Sequence, residues 1–188
     1  MADYLFKYDK RESRCKCILK LLNGHSDAKA VLDSGAFLSA MSLRTYCRIT
    51  GADMRFIKSF LEKNGTSTSV ASYDIDSTKA YYCYIRNCII AGQEFGRFNF
   101  VLTLGNSDSV LLGMDFMQSF DNVEYANSRV IENDLIIKDI RLSKFNRDMY
   151  EKYFTVWRKG SDAIELNLLS KNIKISLGDG LSNSLSVF

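Results

Sequence analysis

Between residues 66 and 104 the sequence is dominated by Val, Ile, Tyr, Phe, Thr and Cys, broken at 74–77, at Ala91-Gly92 and at Gly96. β-Branched and aromatic side chains fit a pleated, half-buried surface, so this stretch predicts several antiparallel strands joined by short turns. The chain has no proline, where average usage would give about nine. Its turns must therefore rest on Gly, Asn, Asp and Ser. A mainly β architecture is the expectation.

The flanking segments extend that pattern. Cys15, Cys17, Leu19 and Leu21 alternate with Lys16, Ile18, Lys20 and Leu22, and Asn23-Gly24 is a hairpin signal. Residues 28–32 return as a second strand that runs into Asp33-Ser34-Gly35-Ala36. Residues 53–63 predict a helix with Asp53 as N-cap, Phe56, Ile57, Phe60 and Leu61 on one face, and Asn64-Gly65 as its stop. A buried strand is expected over 109–112, with Gly113-Met114-Asp115-Phe116-Met117 opening a short helix. Residues 123–138 read as strand pieces around a turn at Asn127-Ser128. Ser143 is the expected N-cap of a helix reaching Gly160, with its Phe145, Met149, Tyr153 and Trp157 side facing the β-body or another subunit; Tyr150 and Phe154 also recur at helical spacing. Short strands at 164–169 and 173–177 and a tail at 181–188 close the chain.

A length of 188 residues, with 46% hydrophobic and 25% charged residues, fits one ordinary globular domain with an appendage. Apolar runs such as Cys88-Ile89-Ile90-Ala91 and Val110-Leu111-Leu112 are far shorter than the ~20 residues of a bilayer span, and the N-terminus lacks a signal-peptide core. No membrane association is expected. Five cysteines are an odd number, without Cys-x-x-Cys pairs and matching histidines. Neither a disulfide framework nor a zinc site is indicated, and reduced thiols point to the cytoplasm. A formal charge of +3 is too small to imply nucleic acid, and the basic stretch 7–20 reads as a solvated edge. No metal or other cofactor is expected.

Two apolar-to-glycine junctions stand out: Ala30-Val31-Leu32-Asp33-Ser34-Gly35-Ala36 and Val110-Leu111-Leu112-Gly113-Met114-Asp115-Phe116. A carboxylate at the end of an apolar strand is desolvated unless it is paired or hydrogen-bonded, which marks Asp33 as a candidate for chemistry. By itself the tetrapeptide could equally be a helix cap or a turn. The two junctions together, in this order with a β-rich segment between them, resemble the retropepsin-like aspartic proteases, single-lobe relatives of pepsin. The resemblance covers residues 14–138, and the Gly-Met-Asp-Phe continuation is similar to non-viral members. It implies a closed, barrel-like single-lobe acid-protease fold over residues 1–140, with residues 141–188 as a helix-plus-strand extension.

The resemblance further implies that Asp33 is the catalytic carboxylate, Ser34 bonds across to a partner turn, the Gly35 backbone meets substrate and Ala36 lines the cleft. Leu112 and Gly113 would pass close behind the turn, and Asp74 and Ile75 would touch substrate from a flap hairpin. With one Asp-Ser-Gly in the chain, the second carboxylate would come from another copy, making a homodimer that hydrolyses polypeptides. His25 is not read as catalytic. Retroviral enzymes carry an ion pair at the positions of Phe37 and Met114, so these two side chains are expected to touch. The flap segment 70–78 lacks glycine, unlike the usual family pattern. That departure favours an alternative, a catalytically silent dimer that binds a peptide or partner in the same cleft.

Overall fold

A computed structural model describes residues 3–72 and 75–167. In chain order the elements are β1 (Tyr4–Asp9), β2 (Arg14–Leu21), β3 (Ala28–Leu32), β4 (Ala40–Ser42), α1 (Leu43–Thr50), α2 (Met54–Asn64), β5 (Ser67–Ser72), β6 (Ile75–Ile90), β7 (Gln93–Thr103), β8 (Ser109–Leu112), α3 (Met114–Met117), β9 (Phe120–Ile131), β10 (Leu135–Phe145), α4 (Arg147–Arg158) and β11 (Ile164–Glu165). Six strands close on themselves in the order β2, β3, β8, β4, β7, β6, because β6 returns to β2 through the pairs Leu19↔Ile90, Lys20↔Ile89 and Leu21↔Cys88. The chain is thus mainly β, a closed barrel with added helices. A ribbon of β1, β10 and β9 extends it, joined through β1 to β2.

The alternation expected in β2 is realised, with Cys15, Leu19 and Leu21 buried and Lys20 in solvent. Strand β7 is instead buried on both faces. Phe98, Phe100 and Leu102 point into the barrel, while Asn99 and Val101 on the opposite face are covered by α4. The Tyr150 hydroxyl accepts from the Asn99 N–H at 2.7 Å, and Phe154 meets Tyr82 edge to face at 6.1 Å. Arg147 lies 4.5 Å above the Phe95 ring and donates to the Arg97 carbonyl. Tyr4, Phe6, Phe95, Phe116, Phe120, Phe145 and Tyr150 form one aromatic cluster. Burying each such side chain contributes roughly 1.5–3 kcal/mol.

Several sequence expectations need correction. Asn127-Ser128 is a β-bulge within β9, where the register slips between Ile137 and Asp139. The reversal lies at Glu132–Asp134, where Asn133 and Asp134 both take positive φ. Asn and Asp tolerate that conformation, so composition marked both places alike. Gly96 is likewise a bulge inside β7 rather than a break, whereas Ala91-Gly92 is a true turn. Ser143 sits in β10, and the cap of α4 is Asn146, whose side chain accepts from the Met149 N–H. Tyr150 and Phe154, not Met149, Tyr153 and Trp157, face the core.

The expected boundary at 140/141 falls inside β10. Helix α2 forms as expected, capped by Asp53. Helix α1 was not announced by the pattern, although its Ser42 N-cap and left-handed Gly51 C-cap are both in the sequence. Of the closing strands, β11 holds Ile164 and Glu165, while 173–177 and 181–188 lie outside the described residues.

Candidate active site

Strands β3 and β8 run parallel with Leu32 level with Leu112, so both chains leave the barrel at the same height. Beyond them β3 enters the Asp33–Ala36 turn and β8 enters α3. The Asp33 N–H donates to the Leu112 carbonyl at 2.9 Å, which ties the start of the turn to the neighbouring strand. The Ala36 N–H closes the turn on the Asp33 carbonyl at 3.2 Å. The Asp33 side chain accepts at Oδ1 from the Gly35 N–H at 2.9 Å, an Asx-type arrangement available to a short carboxylate. A Cβ at Gly35 would lie 3.2 Å from that oxygen. Asp33 Oδ2 lies 4.0 Å from the Arg14 guanidinium, and the Asp33 side chain is 25% exposed. Ser34 and Gly35 are exposed and Ala36 half-buried. One carboxylate is therefore fixed by backbone on one oxygen and faces the Arg14 guanidinium with the other.

Behind the turn the approach is close. A Cβ on Gly113 would sit 2.6 Å from the Ala36 carbonyl oxygen and 2.9 Å from the Leu38 carbonyl carbon, so the Ala36–Leu38 backbone leaves room for glycine alone. The Met114 and Asp115 amides donate to the Ala36 and Phe37 carbonyls at 2.8 and 3.1 Å. These bonds run Met114 and Asp115 alongside Ala36 and Phe37 in the chain path. The Phe37 ring, however, stacks on Trp157 of α4, with centroids 4.6 Å apart and planes at 17°. The aromatic partner comes from the segment that was read as an appendage.

The polar link at this junction is Asp115, a residue of the second motif that the sequence pattern does not single out. Its carboxylate is wholly buried and accepts at Oδ1 from both the N–H and the Oγ–H of Ser39, at 2.9 and 2.8 Å. Burial raises the carboxyl to about 6, against the opposing pull of the Ser39 bonds. An acid in the first turn of a helix was the only available signal. Of the flap residues, Ile75 opens β6 opposite Ser72, and Asp74 lies outside the described residues. Residues 75–77 are strand rather than tip.

His25 lies against Gly51 at the end of α1, with its amide bonded to the Ile49 carbonyl. All five cysteines are free thiols. Burial pushes Cys17 up to about 12 and Cys47 to about 11, which keeps both protonated and poorly nucleophilic. Among the described residues no group of three or more His, Cys, Asp or Glu side chains could hold a metal ion, and no helix is long and apolar enough to cross a membrane.

No family model matches the chain, and no curated protein does. Among solved structures it is similar to a retropepsin-like aspartic protease from Rickettsia conorii, at 20% sequence identity, with 76% of this chain and 94% of that one covered and a TM-score of 0.40. At that level the likeness assigns no activity and no residue role.

Proposed function

We propose that the chain is an aspartic endopeptidase acting as a homodimer, with one Asp33 from each protomer in a shared cleft. The observation that carries this reading is the Asp33 turn itself. An Asp-Ser-Gly turn stands where two parallel strands end together, its aspartate anchored by the Leu112 carbonyl and the Gly35 amide and its second oxygen 4.0 Å from the Arg14 guanidinium on a partly exposed side chain. The exposed Ser34 is free to bond to the matching turn of a second copy.

Two carboxylates about 3 Å apart cannot both ionise, so such a pair holds one proton between them. The ionised member takes a proton from a bound water as that water attacks the peptide carbonyl. The protonated member donates a hydrogen bond to the carbonyl oxygen, where negative charge develops. Collapse of the tetrahedral diol breaks the C–N bond, and the leaving nitrogen receives its proton from the dyad. Water supplies every atom added to the products.

The glycine-free segment 70–78 favours a second reading, a silent dimer that binds peptide without cleaving it. Incubating the protein with a broad library of unstructured peptides separates the two. Cleavage by the wild type and its abolition in Asp33→Asn, with fold and oligomeric state kept, is the expected result. A wild type that binds peptides but cuts none supports the silent binder, and equal cutting by Asp33→Asn removes Asp33 from the chemistry.

A further inference from the structure

Ser39 is a junction. Its carbonyl accepts from the Val101 N–H of β7 at 2.9 Å, its hydroxyl accepts from the Gly113 N–H at 3.1 Å, and its N–H and O–H both donate to Asp115 Oδ1. The loop that leaves the active-site turn is thereby attached to the barrel on one side and to α3 on the other. Ser39 and Asp115 are both fully buried, so water cannot replace either bond to the carboxyl. Without that acceptor, two buried donors on Ser39 lose their partner, and the loop is held to α3 by the Ala36 and Phe37 carbonyls and the Gly113 N–H bond to the Ser39 hydroxyl.

We propose that Asp115 is a positioning residue for Asp33: its buried carboxyl, through Ser39, fixes the loop leaving the active-site turn against α3. The inference rests on the proteolytic reading of Asp33 only for its effect on rate, since the latch itself is a property of the fold. A purely structural filler at this place would be apolar. The carboxyl instead keeps Oδ2 buried with no hydrogen-bond partner, an unfavourable arrangement that a leucine would avoid. From α4 the Tyr150 phenol, held protonated by burial, feels the charge of Asp115. Asp115 thus has no cation to neutralise it among the groups that set its ionisation, and its bonds run to Ser39.

The test uses the full chain with Asp115→Leu, which removes the acceptor at similar volume, and Asp115→Asn, which keeps it. Amide hydrogen exchange is read at Gly35, Ala36, Ser39, Gly113 and Met114, with Ala30 and Val110 as barrel references. In Asp115→Leu the loop amides should exchange on the order of tenfold faster with the references unchanged, and Asp115→Asn should restore most of the protection. On a cleavable peptide the same Leu variant should lose kcat on the order of tenfold while KM moves less than about threefold, with recovery in Asn. Exchange that rises equally in loop and barrel, or a Leu variant matching the wild type in both readouts, overturns the proposal. Should Asp115→Leu fail to fold, Ser39→Ala removes one donor and one acceptor of the same latch and is read the same way. If wild-type protein cleaves nothing, the exchange result still decides the latch, while the proteolytic reading falls separately.

Discussion

Two buried aspartates sit in different parts of this molecule and behave in opposite ways. Asp139, in the β9–β10 ribbon, is 2% exposed, and Asp115, behind the Asp33 turn, is 0% exposed. Around Asp139 burial pushes the carboxyl up, but bonds from Arg129, the Tyr8 N–H and the Asn127 amide, with the attraction of the guanidinium, hold it below its ordinary range. Around Asp115 the same desolvation meets only neutral donors, Ser39 and the backbone amides of Asp115 and Phe116, and the carboxyl rises to about 6. Burial alone does not determine the ionisation of a carboxyl; the number and charge of its donors do. The ribbon holds a compensated charge, whereas the site holds an uncompensated one.

The largest effect should come from breaking the Asp115 region at its backbone. Gly113→Val forces carbon into the Ala36 and Leu38 backbone, which cannot rotate away as a side chain can. We expect a loss on the order of 4 kcal/mol, above the ~1–3 kcal/mol usual for overpacking, read by denaturant unfolding. A loss under about 1 kcal/mol would mean the two strands do not pass this closely.

Asp139→Ala should cost about 3 kcal/mol at neutral pH, the low end for a broken buried pair because Arg129 is half exposed. The folded carboxyl lies below its unfolded value, so its stabilisation is present above the unfolded value and fades as pH falls. The destabilisation should therefore shrink on acidification. A loss independent of pH would contradict the ion pair.

Asp115 carries the opposite sign. Its folded value of about 6 lies above the ordinary 3.8, so the native state binds the extra proton between them. Stability from this group is greatest below that window and declines as pH rises through about 6. Relative to wild type, Asp115→Asn should gain on the order of 2 kcal/mol between pH ~4 and ~7. Thermal unfolding across that range measures it, and parallel curves for the two proteins would refute the raised value. The smallest effect concerns the Phe37–Trp157 stack, where a double-mutant cycle to Ala should give a coupling of about 1 kcal/mol. Zero coupling would place α4 off the active-site loop.

The β-rich character was legible in the β-branched and aromatic residues of 66–104 and the period of two in β2, whereas closure into a barrel was implied only by the resemblance and β4 was not foreseen. Strand 109–112, helix α2 and the Ala91-Gly92 turn fall where the residues place them. The misplaced turns share one physical origin, which is that asparagine and glycine at positive φ serve bulges and turns alike. Only cross-strand register separates Asn127 from Asn133, and register is not local. The α4 start moved because Ser143 and Asn146 are both good caps, and the pairing of Leu142 with Tyr4 and of Ser143 with Asn122 keeps the chain extended to Phe145. At the site, the Asp33 turn and the Gly113 approach could be read from two junctions. Ser39 and Trp157 could not, because their partners lie 76 and 120 residues away in sequence.

The central claim is that each cleft needs one Asp33 from each of two chains. The direct test co-refolds wild-type and Asp33→Asn chains in varied ratio at constant total concentration and measures peptide hydrolysis. With a shared dyad, mixed dimers are inactive and the rate falls as the square of the wild-type fraction, to about one quarter at equal amounts. A rate that falls in simple proportion, to about one half at equal amounts, would show that each chain acts alone and would contradict the account.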